Sequence, residues 1–324
     1  MENVPNGEKI SIYSVTWNMG GKTPNPQDLK LLLPQTKKYD MYIIGTEECL
    51  RSIFLSILFP SKSEWEKAVM SQFDSSEYSV LTSVTLAALH LIVIVKKKLK
   101  VYIKNIHSNV VKTGMGNIMG NKGAVCIWFT YKDLSFLFVD LHLASGKKNQ
   151  DKRNENFDRI MENIPFQDID KLFKQPLKFF YTKNSKEIVL LFDFCIFMGD
   201  FNYRLDKDFD YIRSLIANKM NYIGKEAEVI EKLIKFDQRK RNGTDLIEFH
   251  ECPITFMPTF KFVKDTSEYW FQSDNKLHGW TDRILYKYNL SKLQVNPIQY
   301  NSIPDIKTSD HKPVYLNFEI ELKS

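Results

Sequence analysis

Gly199-Asp200-Phe201-Asn202 sets a carboxylate and a carboxamide two positions apart, directly after a long apolar run. On an extended chain such residues face the same way, so Asp200 and Asn202 would share a cleft while Phe201 turns into the core. A carboxylate there can orient and deprotonate a water, and the amide can donate to a phosphoryl oxygen as charge builds on it. Taken alone, the segment reads more simply as a polar turn after a buried strand.

The same placement recurs along the chain. Asn18 follows the strand-like run 10–16, Glu48 follows 41–44, and His142 ends 135–141. Asp282 begins 283–286, and Asp310-His311 precede 314–320. Residues from several strand ends can converge on one rim. Glu48 with the amide oxygen of Asn18, completed by waters and substrate oxygens, suits Mg²⁺, a hard cation that keeps several waters. Glu47 competes for that role. Histidines and cysteines are not clustered, which argues against zinc. A buried carboxylate beside a histidine fixes its tautomer and favours its charged form, so His142 and His311 can neutralise phosphate oxygens. The glycine-spaced loop 114–123 allows close backbone approach to a ligand, with Lys122 supplying charge. It lacks the P-loop spacing. One at a time, these features are as readily a structural histidine, an exposed acid and a bare turn.

Strands ending on one rim are needed to position this set. Strand candidates are 10–16, 41–44, 89–95, 123–130, 135–141, 188–198, 283–286 and 314–320, with helix candidates at 63–73, 154–163, 208–218 and 225–238. Several strands follow one another directly, which is not a simple strand–helix alternation. Two mixed sheets packed face to face, with helices outside, would bury runs such as 188–198 on both faces. No repeat or low-complexity linker divides the chain, so residues 1–324 read as one domain. The apolar stretch 50–60 reads first as a buried helix, and second as a membrane-facing loop.

Composition, at 43% hydrophobic and 26% charged, is that of a soluble globular protein and excludes disordered and fibrous classes. Basic residues exceed acidic ones by 45 − 39 = 6. That suits an anionic substrate or surface without choosing between nucleic acid, phospholipid headgroup and soluble phosphate. The clusters Lys96-Lys97-Lys98 with Lys100, Lys147-Lys148 and Arg239-Lys240-Arg241 read first as solvated surface. Cys49, Cys126, Cys195 and Cys252 lie far apart and read as free thiols in a reducing compartment. No signal peptide is apparent, and no apolar run reaches the roughly 18 residues of a spanning helix. A cytoplasmic protein with transient membrane association is expected.

In order and wording, the set resembles the inositol polyphosphate 5-phosphatase family of the exonuclease–endonuclease–phosphatase superfamily, and within it the SHIP-like branch. The matching segments are TWNMGG at 16–21, IGTEE at 44–48, GNKGAV at 120–125 and LHLASG at 141–146, then MGDFNYRL at 198–205, PTFKF at 258–262, WTDRILY at 280–286 and TSDHKPV at 308–314. The resemblance implies a four-layer α/β sandwich of the DNase-I-like kind and Mg²⁺-dependent removal of a 5-phosphate by direct water attack. It implies that Glu48 is the principal Mg²⁺ ligand, with Asn18 beside it. Asp200 would activate the water, Asn202 contact the scissile phosphate, and His142 and His311 hold its oxygens. Asp282 would orient His311, with Asp310 close by. Lys261 and Lys276 would read a 4-phosphate, and Asn121 and Lys122 would lie in the loop near the substrate.

The implied partners are a phosphoinositide or inositol phosphate, with a 3,4,5-phosphorylated headgroup favoured, and an anionic membrane surface. Nucleic acid is not expected, and the chain is expected to act as a monomer. Some positions depart from the family's usual wording. Glu47 replaces Gln, Phe260 replaces a Tyr that offers a hydroxyl, and Lys276 replaces Arg, losing bidentate geometry. Thr281 for Cys and His278 for Pro are expected to matter little. The rivals are a nuclease and a catalytically silent phosphoinositide-binding module.

Overall fold

The computed structural model describes residues 7–164, 185–221, 226–238, 249–272 and 278–323. The strands are β1 (Lys9–Asn18), β2 (Met41–Glu47), β3 (Tyr78–Leu86), β4 (Leu89–Lys96), β5 (Ile103–Lys112), β6 (Gly123–Tyr131), β7 (Leu134–His142), β8 (Phe194–Asp200), β9 (Asp282–Tyr288), β10 (Leu293–Ser302) and β11 (Val314–Leu322). They form a six-stranded sheet, β10-β11-β1-β2-β4-β3, and a five-stranded sheet, β5-β6-β7-β8-β9. Both are mixed: β1 runs parallel to β2 and β7 parallel to β8, while the other pairs are antiparallel.

Alternation along the strands creates the layers. Ile10 and Ile12 of β1 point between the sheets, where they meet Ile127, Phe138, Ile196 and Phe318. Tyr13, Val15 and Trp17 point outward and are covered by α1 (Pro26–Leu32) and α3 (Ser63–Met70) through Leu29, Leu32, Trp65 and Val69. On the far side, Phe157, Ile160 and Met161 of α4 (Gln150–Asn163) cover Cys126, Leu137 and Val139. The order helix, sheet, sheet, helix is the four-layer sandwich expected.

The run 188–198 is not one strand. It divides into α5 (Ser185–Leu191) and β8. Periodicity cannot separate a buried helix end from a buried strand in an all-apolar run. Asp193 marks the break, its carboxylate accepting from the Ser135 backbone N–H at 2.9 Å and hydroxyl at 3.0 Å. Strands β3, β5 and β10 were not expected. Most of β3 is only partly buried, β5 is interrupted by a register shift between Lys104 and His107, and β10 carries Pro297. The helix candidates become α3, α4, α6 (Phe209–Asn221) and α7 (Glu226–Ile234), each with shifted ends. The stretch 50–60 does contain a helix, α2 (Ile53–Leu58), but it is not buried: Phe54 is 70% and Phe59 62% exposed.

Candidate active site

Strand register assembles the site. In the five-stranded sheet His142 pairs with Asp200 and Asp200 with Asp282, so three functional side chains stand in one row across β7, β8 and β9. Gly199 permits the tight approach of β8 to β7, because a Cβ there would lie 2.0 Å from the Leu141 carbonyl. In the other sheet Asn18 pairs with Glu47 at the ends of β1 and β2. Glu48 then takes a left-handed conformation, φ 48°, as the chain leaves β2. That turn separates the two acids. Glu47 is fully buried and accepts from Thr16 Oγ1 at 2.7 Å, whereas Glu48 lines the cleft. Burial and the neighbouring Asp140 carboxyl raise Glu47 well above the ordinary carboxyl range. Glu47 therefore does not compete for a cation, nor does it add charge to the cleft.

A cleft of about 670 Å³ opens at these strand ends, and Asn18, Glu48, Asn121, Lys122, His142, Asp200, Asn202, Lys261, Asp310 and His311 all line it. Asp282 lies one layer deeper, bonded to His311 Nδ1 at 3.0 and 3.1 Å through its two oxygens. Lys276 lies outside the described residues. Arg204 and Lys264 also line the cleft and were not singled out from sequence. Arg204 had a signal, since it continues the 200, 202, 204 alternation. Lys264 had none, because its place depends on a fold-back that lets Nζ reach the Gly20 carbonyl at 2.9 Å.

Asp200 is nearly inaccessible, with Oδ2 accepting from Asn18 Nδ2 at 3.0 Å and Oδ1 from the Asn202 backbone N–H at 2.9 Å. Burial alone would raise its pKa. His142, at 3.2 Å, with the His311 and Lys122 charges, overrides that and holds it far below the carboxylate range. His142 is pushed the other way, toward neutrality, by burial and by Lys122, whose ammonium touches the same Nε2. Lys122 itself falls to about 8, mainly through burial. For His311 burial is outweighed by Asp282, then Asp200 and Asp310, and the imidazole rises to about 9. The Phe260 ring lies against that imidazole, tilted by 43° with centroids 4.4 Å apart, and the Arg204 guanidinium lies 4.1 Å from the Phe260 centroid. Asp310 bonds Lys261 Nζ at 2.5 Å and sits at about 2, since His311, Lys261 and Lys264 offset its burial.

Oxygen donors are what this site offers a cation. The Glu48 carboxylate has no hydrogen bond or ion pair among the described residues, and Asn18, whose Oδ1 accepts from the Gly20 N–H at 3.0 Å and keeps a second lone pair, lines the same cleft. That donor set fits a hard divalent ion. Asp200, Asp282 and His311 also bring atoms within 4.8 Å of one another, but Asp282 and His311 are joined to each other, so this grouping is an ion-pair network.

Fold and cleft together define a protein of the DNase-I-like class. The sequence pattern of the endonuclease/exonuclease/phosphatase family 2 matches residues 15–317, and the chain belongs to that family. It is 29% identical over 328 residues to inositol-1,4,5-trisphosphate 5-phosphatase 1 of Schizosaccharomyces pombe, covering 97% of this chain and 27% of that protein. It is 30% identical over 338 residues to phosphatidylinositol 3,4,5-trisphosphate 5-phosphatase 2A of Danio rerio, covering 98% of this chain and 24% of that one. The chain thus spans about a quarter of the length of these curated relatives. Among solved structures it resembles the inositol polyphosphate 5-phosphatase domain of SPsynaptojanin, in complex with inositol (1,4)-bisphosphate and a calcium ion. That match has a TM-score of 0.76 and 27% identity, over 97% of this chain and 86% of the other.

Proposed function

We propose that residues 1–324 form one catalytic domain that hydrolyses the 5-phosphate of phosphoinositides and soluble inositol polyphosphates in the presence of Mg²⁺. The observation that carries this reading is the single cleft in which ionised Asp200 stands beside the His311 cation, ringed by Lys122, Arg204, Lys261 and Lys264. So many cations around one hydrolytic carboxylate suit a ring bearing several phosphates. Glu48 and Asn18 would hold the metal, which, when bound, screens phosphoryl charge.

Asp200 accepts from the attacking water and aims it in line with the departing ring oxygen. His311 Nε2 and Asn202 donate to the phosphoryl oxygens, and His142 borders them on the β7 side. Asp282 keeps the His311 Nδ1 proton in place. Lys261 and Lys264 bracket Asp310 and face the part of the cleft where neighbouring phosphates would lie. Loss of the hydroxyl at Phe260 is partly offset by Arg204, whose guanidinium packs on that ring. The SHIP-like wording favours a 3,4,5-phosphorylated headgroup. The free thiols Cys49, Cys126 and Cys195 suit a cytoplasmic setting.

The test is phosphate release from a panel of inositol phosphates and short-chain phosphoinositides, with Mg²⁺ or with EDTA. Metal-dependent release from 5-phosphorylated members alone is expected, and the ranking reports whether 3- and 4-phosphates are read. Silence from folded protein, or cleavage of nucleic acid in its place, would overturn the reading.

Two apolar segments run into the cleft lining and support contact with a membrane. Helix α2 carries Ile53 in the lining and exposes Phe54, Leu58 and Phe59. The loop leading to Asn121 and Lys122 exposes Met115 (73%) and Ile118 (75%). Burying such side chains yields on the order of 1.5–3 kcal/mol each. Phe54→Ser with Ile118→Ser is therefore expected to cut activity on vesicle-borne phosphoinositide at least tenfold, with hydrolysis of soluble inositol phosphate unchanged. Equal losses on both substrates would count against membrane contact here.

A further inference from the structure

Asp282 is more heavily bonded than its partnership with His311 requires. Its Oδ2 accepts from Thr259 Oγ1 at 2.6 Å and from Thr281 Oγ1 at 2.7 Å, besides His311 Nδ1 at 3.0 Å. Thr281 Oγ1 also lies 3.3 Å from His311 Nδ1. A threonine hydroxyl has one proton to donate and lone pairs to accept with. With its proton on Asp282, the Thr281 oxygen can accept only from the His311 N–H. Asp282, Thr281 and His311 thus close a triangle of donors and acceptors. Thr259, Thr281 and Asp282 are all fully buried, so no water competes for these bonds. The backbone around the triangle is held as well: the Thr281 carbonyl accepts from the Phe201 N–H at 2.7 Å, between Asp200 and Asn202, and the Thr259 carbonyl from the Lys312 N–H at 2.9 Å.

We propose that Thr281 is a positioning residue for hydrolysis, fixing the Asp282–His311 pair so that the His311 ring presents its other nitrogen to the scissile phosphate. The proposal rests on the role given to His311 above and contradicts the expectation that this position matters little. The hydroxyl has two separable effects. It restricts the ring to one orientation, which geometry at a reacting phosphate demands. It also bonds both partners, donating to Asp282 Oδ2 and accepting from the His311 N–H, so its removal changes how firmly the imidazolium proton is held. The other titratable groups facing the pair are Asp200 on β8, Asp310 with its partner Lys261, Arg204 across Phe260, and Glu47, held neutral, from the opposite sheet. None of them is altered by a substitution at 281.

The test compares Thr281→Val, which keeps the shape and removes the hydroxyl, with Thr281→Ser, which keeps the hydroxyl and removes a methyl. Thr281→Val is expected to lower kcat about tenfold with little change in KM. His311, raised to about 9 in the native protein, is expected to titrate at a displaced pH in Thr281→Val. Thr281→Ser is expected to restore both. His311 is titrated directly by imidazole NMR in the full chain without substrate, where Thr281→Val should show the displacement and Thr281→Ser should not. That arm stands even if the enzyme acts on another phosphate ester. An unmoved His311 titration in Thr281→Val overturns the proposal, as does unaltered turnover, or a Ser variant as impaired as Val.

Discussion

Asp200→Ala is expected to lower turnover by about two or more orders of magnitude while the protein keeps its fold. The size follows from what the side chain does for its surroundings. Its carboxylate is the acceptor for Asn18 Nδ2 and for the Asn202 backbone N–H, and it stands 3.2 Å from His142 Nε2. Removing it takes away the acceptor for the water and loosens the two amides that flank the phosphate. Its ionisation well below the carboxylate range makes it a weak base. That is no obstacle. A loose phosphoryl-transfer transition state leaves the nucleophile largely a water, so aiming it matters more than deprotonating it early. The measurement is kcat on the best member of the substrate panel, beside a thermal melt. A variant that melts like wild type and turns over like wild type would falsify the assignment of Asp200 as the water-orienting group.

Much of this site was legible because strand ends carry a sequence signal. An alternating or apolar run followed by Asn, Glu or Asp can be read without coordinates, and Asn18, Glu48, His142, Asp200 and His311 do line one cleft. Register was not legible. Nothing local says that His142 sits opposite Asp200 and Asp200 opposite Asp282, although that row determines which charges meet. The choice between Glu47 and Glu48 was closed to sequence for a similar reason, since it depends on a positive φ at Glu48. Arg204 shared the parity of Asp200 and Asn202 and was passed over as part of a motif. The exposure of α2 was misread because an apolar helix is ordinarily buried, and only the absence of a covering layer among the described residues says otherwise. Thr281 shows the limit most clearly. A hydroxyl next to an aspartate in sequence looks incidental until the fold brings His311 to both.

The second large effect lies beneath the site. Arg283, the residue after Asp282 on β9, is fully buried, and its Nη2 meets both oxygens of Asp237 at 2.6 and 2.7 Å. Nη1 lies 3.2 Å from each oxygen of Glu251, and Nε donates to the Trp280 carbonyl at 2.7 Å. Burial disfavours this guanidinium, yet Asp237 and Glu251 more than compensate, and it stays charged. Asp237→Ala would strand part of that charge away from water. Breaking a buried pair by removing one partner costs about 3–5 kcal/mol, and the surviving Glu251 sets the expectation at the lower end, about 3 kcal/mol. The loss also reaches the cleft, because the Gln238 N–H donates to the Arg204 carbonyl at 3.0 Å and Asp237 bridges Leu205. Urea denaturation should therefore show a lower midpoint at unchanged slope. The triple variant Asp237→Ala, Glu251→Gln, Arg283→Met should recover much of the stability, since it removes the buried guanidinium together with both of its carboxylate partners. A single variant within about 1 kcal/mol of wild type would mean that Glu251 alone suffices to neutralise Arg283, and a triple variant no better than the single would mean that stranded charge is not what the substitution costs.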